Sequence, residues 1–255
     1  MVAAQADQLA RAHHTAQRAL QAQVARDFAR LWPNANWPRL EPAWAHWVAA
    51  IAALIRANRS RSASMAAGFL TRYRLLEGVA GDFTPAVADA VPDELIEANL
   101  VATVRDSLLK ATNDALQVPD QPGTQGRILA EGRKNALVRG TGVVTRQVSG
   151  GGRDTITNGV TQDRHALGWA RLSDGDPCAF CAMLISRGPA YKAHGTARFQ
   201  AHDHDGCSAV PVYDRADWVG RDEYERYDHL WRTKTGGKSG KGALKAFRQH
   251  LDNAA

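Results

Sequence analysis

All three cysteines of this 255-residue chain lie within one thirty-residue segment, and this clustering limits how that part of the chain can fold. Cys178 and Cys181 form a Cys-x2-Cys pair, and Cys207 follows. Such a pair supplies two thiolates from one tight turn, and a distant Cys/His cluster can complete a tetrahedron around zinc. The sequence therefore predicts a zinc site that joins the two ends of this segment.

Two histidines compete for the fourth position of the predicted zinc site. His202 and His204 both precede Cys207, in the run His-Asp-His-Asp-Gly-Cys. The tighter spacing to Cys207 favours His204 over His202. Five candidate ligands are more than a closed site needs, and nothing in the pattern demands an open coordination position. We therefore expect a structural zinc site rather than a catalytic one.

Other interpretations of the thiols remain open. A Cys-x2-Cys pair can be redox-active, but such pairs usually begin a helix after a strand, and the Asp-Pro before Cys178 is not typical of them. A disulfide between Cys178 and Cys181 would leave Cys207 unpaired. Three thiols buried for packing alone, with exposed histidines nearby, would also be consistent with the sequence.

Composition indicates a folded protein of the cytoplasm. Apolar residues make up 44% of the chain, which is enough for one large core or two modest ones. The N-terminus has no apolar run of signal-peptide length, and no segment approaches 18 uninterrupted apolar residues. We therefore expect no membrane association and a reducing compartment, where clustered thiols are more often metal ligands than disulfides.

The net charge of +6 is unevenly distributed along the chain. Residues 1–82 carry a net charge of +5, residues 83–228 carry −4, and residues 229–255 carry +5. Basic ends of this kind can contact the phosphates of nucleic acid or an acidic protein surface. Solvated basic ends that contact no partner would be equally consistent with this pattern.

The N-terminal half has the periodicity of helices. Apolar residues at three- and four-residue steps predict helices at 7–31, 42–59, 62–76 and 126–148, and a further helix after Pro92 that ends before Pro119. Four tryptophans lie near the first two of these helices: Trp32, Trp37, Trp44 and Trp47. They are expected either to pack between the helices or to form an exposed interface for a partner.

The predicted fold class is α+β, with three regions. Three consecutive glycines at 150–152 predict a linker after a helical domain at 1–149. Residues 150–215 are expected to form a small zinc-stapled α+β module, with strands at 168–172 and 209–213 and a short helix at 182–186. Residues 216–255 are expected to hold an aromatic helix, a flexible basic tail rich in glycine and lysine, and a last short helix at 243–251.

A resemblance to a known family lies in the Cys/His segment. Residues 168–189 read GWARLSDGDPCAFCAMLISRGP, and residues 199–213 read FQAHDHDGCSAVPVY. Together they resemble the C-terminal domain of the Mu F-like minor capsid proteins of tailed phages, in the form found in actinobacterial phages. Many members carry Cys-x-Cys at the end of the second cluster, whereas Ser208 and Ala209 follow Cys207 here.

The resemblance implies a head morphogenesis protein, and we expect its role to be structural and non-enzymatic. Such a protein is made in the host cytoplasm, lies in the capsid interior of the virion, and associates with the portal protein, other head proteins and sometimes packaged DNA, which the basic termini could contact. Related proteins are often described as capsid maturation proteases, so a protease is one alternative, and a metal-dependent nuclease using His202, Asp203 and His204 is another.

The sequence offers little for a protease. It has no Gly-x-Ser-x-Gly elbow, and spacing assigns no Ser, His and acid to a triad, although triad residues can lie far apart in sequence. A third class, a cellular zinc-module protein that binds DNA, also remains open. Four protein ligands around zinc would favour the structural role. An open metal position would favour the nuclease. A steep salt dependence of duplex binding would favour the DNA-binding protein.

Overall fold

The computed structural model describes residues 2–32, 40–118, 123–173, 175–189 and 199–252. The fold is mainly helical and contains a small two-stranded sheet. The helices are α1 (Val2–Leu31), α2 (Trp44–Leu76), α3 (Asp93–Leu100), α4 (Asp106–Leu116), α5 (Thr124–Gln162), α6 (Ala179–Ile185), α7 (Arg221–Lys234) and α8 (Gly240–Asp252). The strands are β1 (Gly168–Leu172) and β2 (Ser208–Val212). A 3-10 turn (Glu41–Ala43) precedes α2, and a π-helical turn (Val101–Arg105) joins α3 to α4.

The helices predicted at 42–59 and 62–76 are one continuous helix, α2. The polar stretch between them is a buried junction rather than a break. Ser62 is buried and donates a hydrogen bond to Gln17 of α1 at 2.7 Å. Arg59 donates to the carbonyl oxygen of Gln147 in α5 at 2.9 Å and pairs with Asp154. These polar contacts fasten α2 to its two neighbours within the helical core, which we define as α1, α2 and α5.

The tryptophans pack within the protein. Trp47 is buried, and its ring centroid lies 5.9 Å from that of Trp32 and 5.3 Å from that of Trp44. The indole Nε1 of Trp47 donates to the carbonyl oxygen of Leu31 at 2.9 Å. Trp37 lies outside the described residues. Trp32, Trp44 and Trp47 therefore belong to an intramolecular aromatic cluster at one end of the helical core.

The linker predicted at 150–152 is wrong, because these glycines lie inside the continuous helix α5. A Cβ on Gly151 would stand 2.3 Å from the carbonyl oxygen of Arg59, and one on Gly152 would stand 2.7 Å from Nε2 of Gln17. Glycine here lets α5 approach α1 and α2 closely, although each glycine costs a helix about 1 kcal/mol relative to alanine. Helix α5 thus crosses the boundary predicted between residues 149 and 150.

Both predicted strands are confirmed. They pair antiparallel, with Gly168 opposite Val212 and Leu172 opposite Ser208, and every residue of the pair is buried. Trp169 packs in one cluster with Tyr73 of α2 and Ile156 of α5. The sheet therefore lies against the helical core and does not need a separate core of its own. The short helix predicted at 182–186 is confirmed as α6, which begins three residues earlier.

The flexible tail predicted in 216–255 is wrong, whereas the last short helix is confirmed. Helices α7 and α8 are ordered and pack on α6 and on each other. Phe247 of α8 is fully buried, and its ring lies 5.1 Å from that of Trp231 in α7. Burial of these rings outweighs the flexibility that the glycine and lysine content suggested. None of the helices in the described ranges is long and apolar enough to cross a membrane.

Candidate metal centre

The start of α6 brings two of the predicted ligands together. Cys178 immediately precedes α6, and its carbonyl oxygen accepts a hydrogen bond from the amide of Ala182 at 2.9 Å. Cys181 lies in the first helical turn, so the Cys-x2-Cys spacing places both thiols at one end of the helix. Cys178 is exposed and Cys181 is buried. The pair therefore lies at the boundary between solvent and core.

His202 completes a three-residue group with these thiols. Its Nε2 atom lies 3.2 Å from Sγ of Cys178 and 3.2 Å from Sγ of Cys181. Its Nδ1 atom lies 2.6 Å from the carbonyl oxygen of Asp203. Because a carbonyl oxygen only accepts, Nδ1 donates a proton in this contact, and Nε2 faces the two thiols. Such donation to a backbone carbonyl is common among metal-ligating histidines.

His204 does not join the thiols, although its spacing favoured it. It adopts a left-handed backbone conformation, with φ of 64°. Its ring lies against α5, where a Cβ built on Gly142 would be 2.9 Å from Nε2 of His204. Its neighbour Asp203 pairs with Arg146 of α5 at 2.9 Å. The structure therefore puts His202 in the place expected for His204. Residue spacing alone does not indicate which of the two histidines turns towards the thiols.

Cys207 approaches the group through Cys181. The potential ligand atoms of Cys181, Asp205 and Cys207 lie within 4.8 Å of one another, and those of Cys178, Cys181 and His202 do so as well. Cys181 is shared by the two groups. Its hydrogen bond with Cys207 and its burial both raise the pKa of the Cys181 thiol. Cys178, Cys181, His202 and Cys207 thus form a cluster that could bind a metal, here called the Cys/His cluster.

A buried charge network supports this cluster, formed by Arg153 of α5, Arg171 of β1 and Asp205. Arg171 Nη1 lies 2.9 Å from Oδ2 of Asp205, and Arg153 Nη2 lies 3.4 Å from Oδ1. Arg153 also donates to the carbonyl oxygen of Cys207 at 2.8 Å and to that of Asp205 at 2.7 Å. Burial alone would raise the pKa of Asp205, but the two guanidinium groups hold that pKa below its ordinary value.

Phe199 extends the network by stacking. The guanidinium carbon of Arg171 lies 3.7 Å from the Phe199 ring centroid, and that of Arg153 lies 4.6 Å away. Trp169 stacks on the same ring at 5.3 Å. Sequence reasoning did not identify Arg153, Arg171 or Asp205 as supporting residues. The sequence did offer one signal for them. Arg153 and Arg171 each lie in a segment that packs against the core, and a buried arginine requires a charged or polar partner.

The charge of the network provides a test of whether a metal fits. Among the described residues, Arg153 and Arg171 form ion pairs with a single carboxylate, Asp205, which leaves one excess positive charge at side chains that are 0 to 4% exposed. A divalent ion bound by three thiolates and one neutral imidazole carries a net charge of −1, which would neutralise this excess. In addition, Arg153 Nη1 and Arg171 Nε are buried without a hydrogen-bond acceptor among the described residues.

The two distances from His202 to the thiols also fit. Zinc bonds of about 2.3 Å to sulfur and 2.0–2.1 Å to nitrogen, at a tetrahedral angle, separate the two ligand atoms by about 3.6 Å. The observed separations of 3.2 Å between sulfur and nitrogen are close to this value. Thiolate and imidazole ligands suit zinc among the common divalent ions. A metal held by Cys178, Cys181, His202 and Cys207 would supply a cross-link between α6 and the segment before β2.

A Ser–His contact lies at another point of the fold. Ser208 Oγ of β2 and His14 Nδ1 of α1 are 2.8 Å apart, and both residues are buried. The cavity that borders Ser208 has a volume of about 10 Å³, room for no more than one water molecule. A nucleophile needs access to its substrate, so we interpret this contact as a buried polar link between α1 and β2.

A wide cleft lies away from the Cys/His cluster. It has a volume of about 880 Å³ and lies between the start of α1, the end of α2 and the segment at 213–225. Its charged lining residues are mainly acidic and include Glu77, Asp217 and Asp222. Burial, assisted by Asp217 and Asp214, raises the pKa of Glu77. None of the four cluster residues lines this cleft.

Comparison with known proteins relates the chain to phages. Residues 3–233 match the family described as VG15 protein. The chain is 29% identical over 145 residues to the gene 15 protein of Mycobacterium phage D29, covering 44% of this chain and 53% of that protein. It is 29% identical over 128 residues to the gene 15 protein of Mycobacterium phage L5, covering 34% of this chain and 44% of that protein.

The extent of these matches differs. The chain spans about half the length of the curated relatives it matches. No solved structure matches it. The family match carries the VG15 description and does not confirm the Mu F-like resemblance. It extends over most of the chain, from the start of α1 to the end of α7, and the chain therefore belongs to the VG15 protein family.

Proposed function

We propose that this protein is a structural minor capsid protein of a tailed phage and acts in head assembly. Membership of the VG15 family and the two mycobacteriophage relatives support a phage origin. The resemblance of residues 168–213 to Mu F-like proteins supports the role in the head. Under this proposal the protein is made in the host cytoplasm and lies in the capsid interior, where it contacts the portal protein and other head proteins.

The observation that carries a structural role is the way in which the Cys/His cluster is embedded. Cys181 and Cys207 are buried. Asp205, in the segment before β2, pairs with Arg153 of α5 and with Arg171 of β1, and these ion pairs hold that segment in place. The four ligands all come from the protein, which is typical of closed structural zinc sites. We therefore propose zinc as the ion and a cross-link as its role.

The hydrolase alternatives receive less support from the geometry. A nuclease that used His202 and His204 together would need both imidazoles at one site. Nε2 of His202 faces two thiols, whereas the ring of His204 lies against Gly142 of α5. A protease would need an accessible nucleophile, and Ser208, which contacts His14, is buried. The protein is thus proposed to be non-enzymatic.

DNA is a further proposed partner, through the basic ends. Lys241, Lys245 and Arg248 recur at four- and three-residue steps on α8 and are exposed, opposite the buried Phe247. Such a stripe can neutralise phosphates, with a log–log salt slope of about −0.9 per contact. This face replaces the flexible tail as the candidate contact with packaged DNA.

The test of the head assignment is the location of the protein. Virions of the phage that encodes this chain would be purified, and their protein content measured by mass spectrometry, together with co-purification of the chain with the portal protein. We expect a few copies of the chain per virion and recovery with the portal. A chain that is abundant in the lysate but absent from both virions and portal complexes would overturn the assignment.

A further inference from the structure

Helix α6 has two different sets of contacts. Its first turn carries Cys181, and Cys178 immediately precedes the helix. Its remaining residues form a buried apolar cluster with α7 and α8, composed of Ala179, Ala182, Met183, Leu184, Ile185, Tyr227 and Phe247. A helix of only seven residues is not stable by itself in water. The position of α6 therefore depends on the contacts of its cysteines and on its apolar contacts with α7 and α8.

Helices α7 and α8, here called the C-terminal helix pair, depend on α6 in turn. Their core is separate from the two larger clusters of the molecule, and they pack on α6 and on each other. The Phe247 ring lies 6.5 Å from that of Tyr227 and is fully buried. A second attachment lies near the start of α7, where Ser173 donates to Glu223 and the Tyr224 ring lies 5.6 Å from that of Trp218.

The segment that carries His202 and Cys207 has other anchors. Arg153 of α5 binds the carbonyl oxygens of Asp205 and Cys207, and Arg171 of β1 binds that of Gln200 at 2.7 Å. These bonds hold this segment on the helical core. Cys178 and Cys181 have no comparable set of backbone anchors among the described residues, so the cluster is the principal polar connection between α6 and that segment.

We propose that metal occupancy of the Cys/His cluster controls the attachment of the C-terminal helix pair to the rest of the protein. A bound ion fixes α6 to the anchored segment, and α6 then supplies the apolar surface on which α7 and α8 pack. Loss of the ion loosens α6 and releases the pair, while the helical core stays folded. This inference rests on the metal site of the proposed function and is independent of the location of the protein in a phage head.

The consequence is a switch in exposed surface. In the attached state, Trp231, Leu244 and Phe247 face α6 or each other. Release would uncover these apolar side chains. This apolar surface would therefore be exposed only when the metal is absent.

Hydrogen exchange of the full chain, followed by mass spectrometry, tests this inference. The zinc-loaded protein would be compared with protein stripped by a strong chelator, with zinc measured in both samples. We expect amides of 221–234 and 240–252 to exchange at least about tenfold faster after stripping, and amides of 44–76 and 143–160 to change less than about twofold. Re-addition of zinc should restore the original protection.

Two variants separate cause from effect. Cys178→Ser should show the stripped pattern without chelator. Phe247→Ala removes the buried ring from the interface and leaves all four cluster residues intact, so it should speed exchange in 240–252 while zinc content stays at the wild-type level. If Phe247→Ala lost zinc to the same extent as Cys178→Ser, the inference that attachment of the helix pair depends on the metal, and not the reverse, would be refuted.

Three other results would overturn the inference. One is a C-terminal helix pair that stays protected after zinc is removed. Another is equal loss of protection throughout the chain, which would show global unfolding rather than local release. The third is a purified protein that binds no divalent metal. That last result would remove the metal site as well, whereas the head assignment would still be decided by the protein content of virions.

Discussion

Arg171 and Asp205 form an ion pair of 2.9 Å in which neither side chain is more than 1% exposed. The two residues lie 34 positions apart, one on β1 and the other in the segment before β2. Because Asp205 also faces Arg153, removal of its charge would leave two guanidinium groups buried without a carboxylate. This ion pair is therefore a point at which a single substitution should affect both the fold and the metal cluster.

The first prediction concerns that carboxylate. Asp205→Asn should destabilise the protein by about 3–5 kcal/mol, because it leaves buried positive charge uncompensated. The matched control is Asp7→Asn, which breaks the exposed ion pair with Arg11 and should cost less than about 1 kcal/mol. Urea denaturation at constant zinc concentration measures both values. Equal effects of the two substitutions would contradict the interpretation of the buried network.

The second prediction uses two glycines of α5. A Cβ at position 151 would meet the Arg59 carbonyl oxygen at 2.3 Å, which belongs to the backbone and cannot rotate away. Gly151→Ala should therefore destabilise the protein by about 1–3 kcal/mol or more. Gly126 has no atom within 4 Å of the corresponding position. Gly126→Ala should instead stabilise the helix by up to about 1 kcal/mol. Thermal unfolding of both variants shows whether the effects have opposite signs.

The contrast at these glycines shows what sequence patterns can reveal about this fold. Hydrophobic periodicity located the main helices, and short runs of mainly apolar residues beside the cysteines predicted both strands, since these signals depend on neighbouring residues. The prediction of a linker at 150–152 failed because glycine content reports backbone freedom and does not show what lies beside the backbone. The tail prediction failed for the same reason, because Phe247 is ordered by contacts with α6 and α7.

Sequence patterns likewise predicted some residues of the candidate site and not others. The Cys-x2-Cys pair and Cys207 were recognisable from spacing, and the structure brings Cys178, Cys181 and Cys207 into the cluster. The choice between His202 and His204 depends on the left-handed turn at His204, and spacing contains no information about that turn. The pairing of Arg171 with Asp205 depends on the register of β1 with β2, which brings distant residues together.

The third prediction concerns metal content. The wild-type protein should bind about one zinc ion per chain, and Cys178→Ser, Cys181→Ser, Cys207→Ser and His202→Ala should each reduce zinc affinity strongly, because each removes one ligand. His204→Ala is the matched control and should leave zinc content unchanged, since its ring lies against α5. Elemental analysis measures the stoichiometry, and cobalt substitution reports thiolate ligation. Loss of zinc in His204→Ala with retention in His202→Ala would reverse the assignment of the fourth ligand.

The last prediction is a pH dependence that arises from His13 of α1. The ring of His13 stacks on Phe69 at 4.3 Å, and burial, with a smaller contribution from His14, lowers the pKa of His13 from 6.5 to about 4. Between these values the unfolded chain binds a proton that the folded protein excludes. The stabilisation is therefore fully present above pH 6.5 and is lost as the pH falls towards 4, at about 1.4 kcal/mol per pH unit and up to about 3 kcal/mol in total.

The variant His13→Phe keeps an aromatic ring on Phe69 and removes the titrating group. The difference in unfolding free energy between wild type and His13→Phe should change steadily from pH 6.5 to pH 4, and a subtraction at each pH cancels groups common to both proteins, including the Cys/His cluster. His46→Phe, at an exposed histidine of α2, is the matched surface control for this substitution. A difference between wild type and His13→Phe that stays constant across this range would show that His13 is protonated in the folded protein as readily as in the unfolded chain.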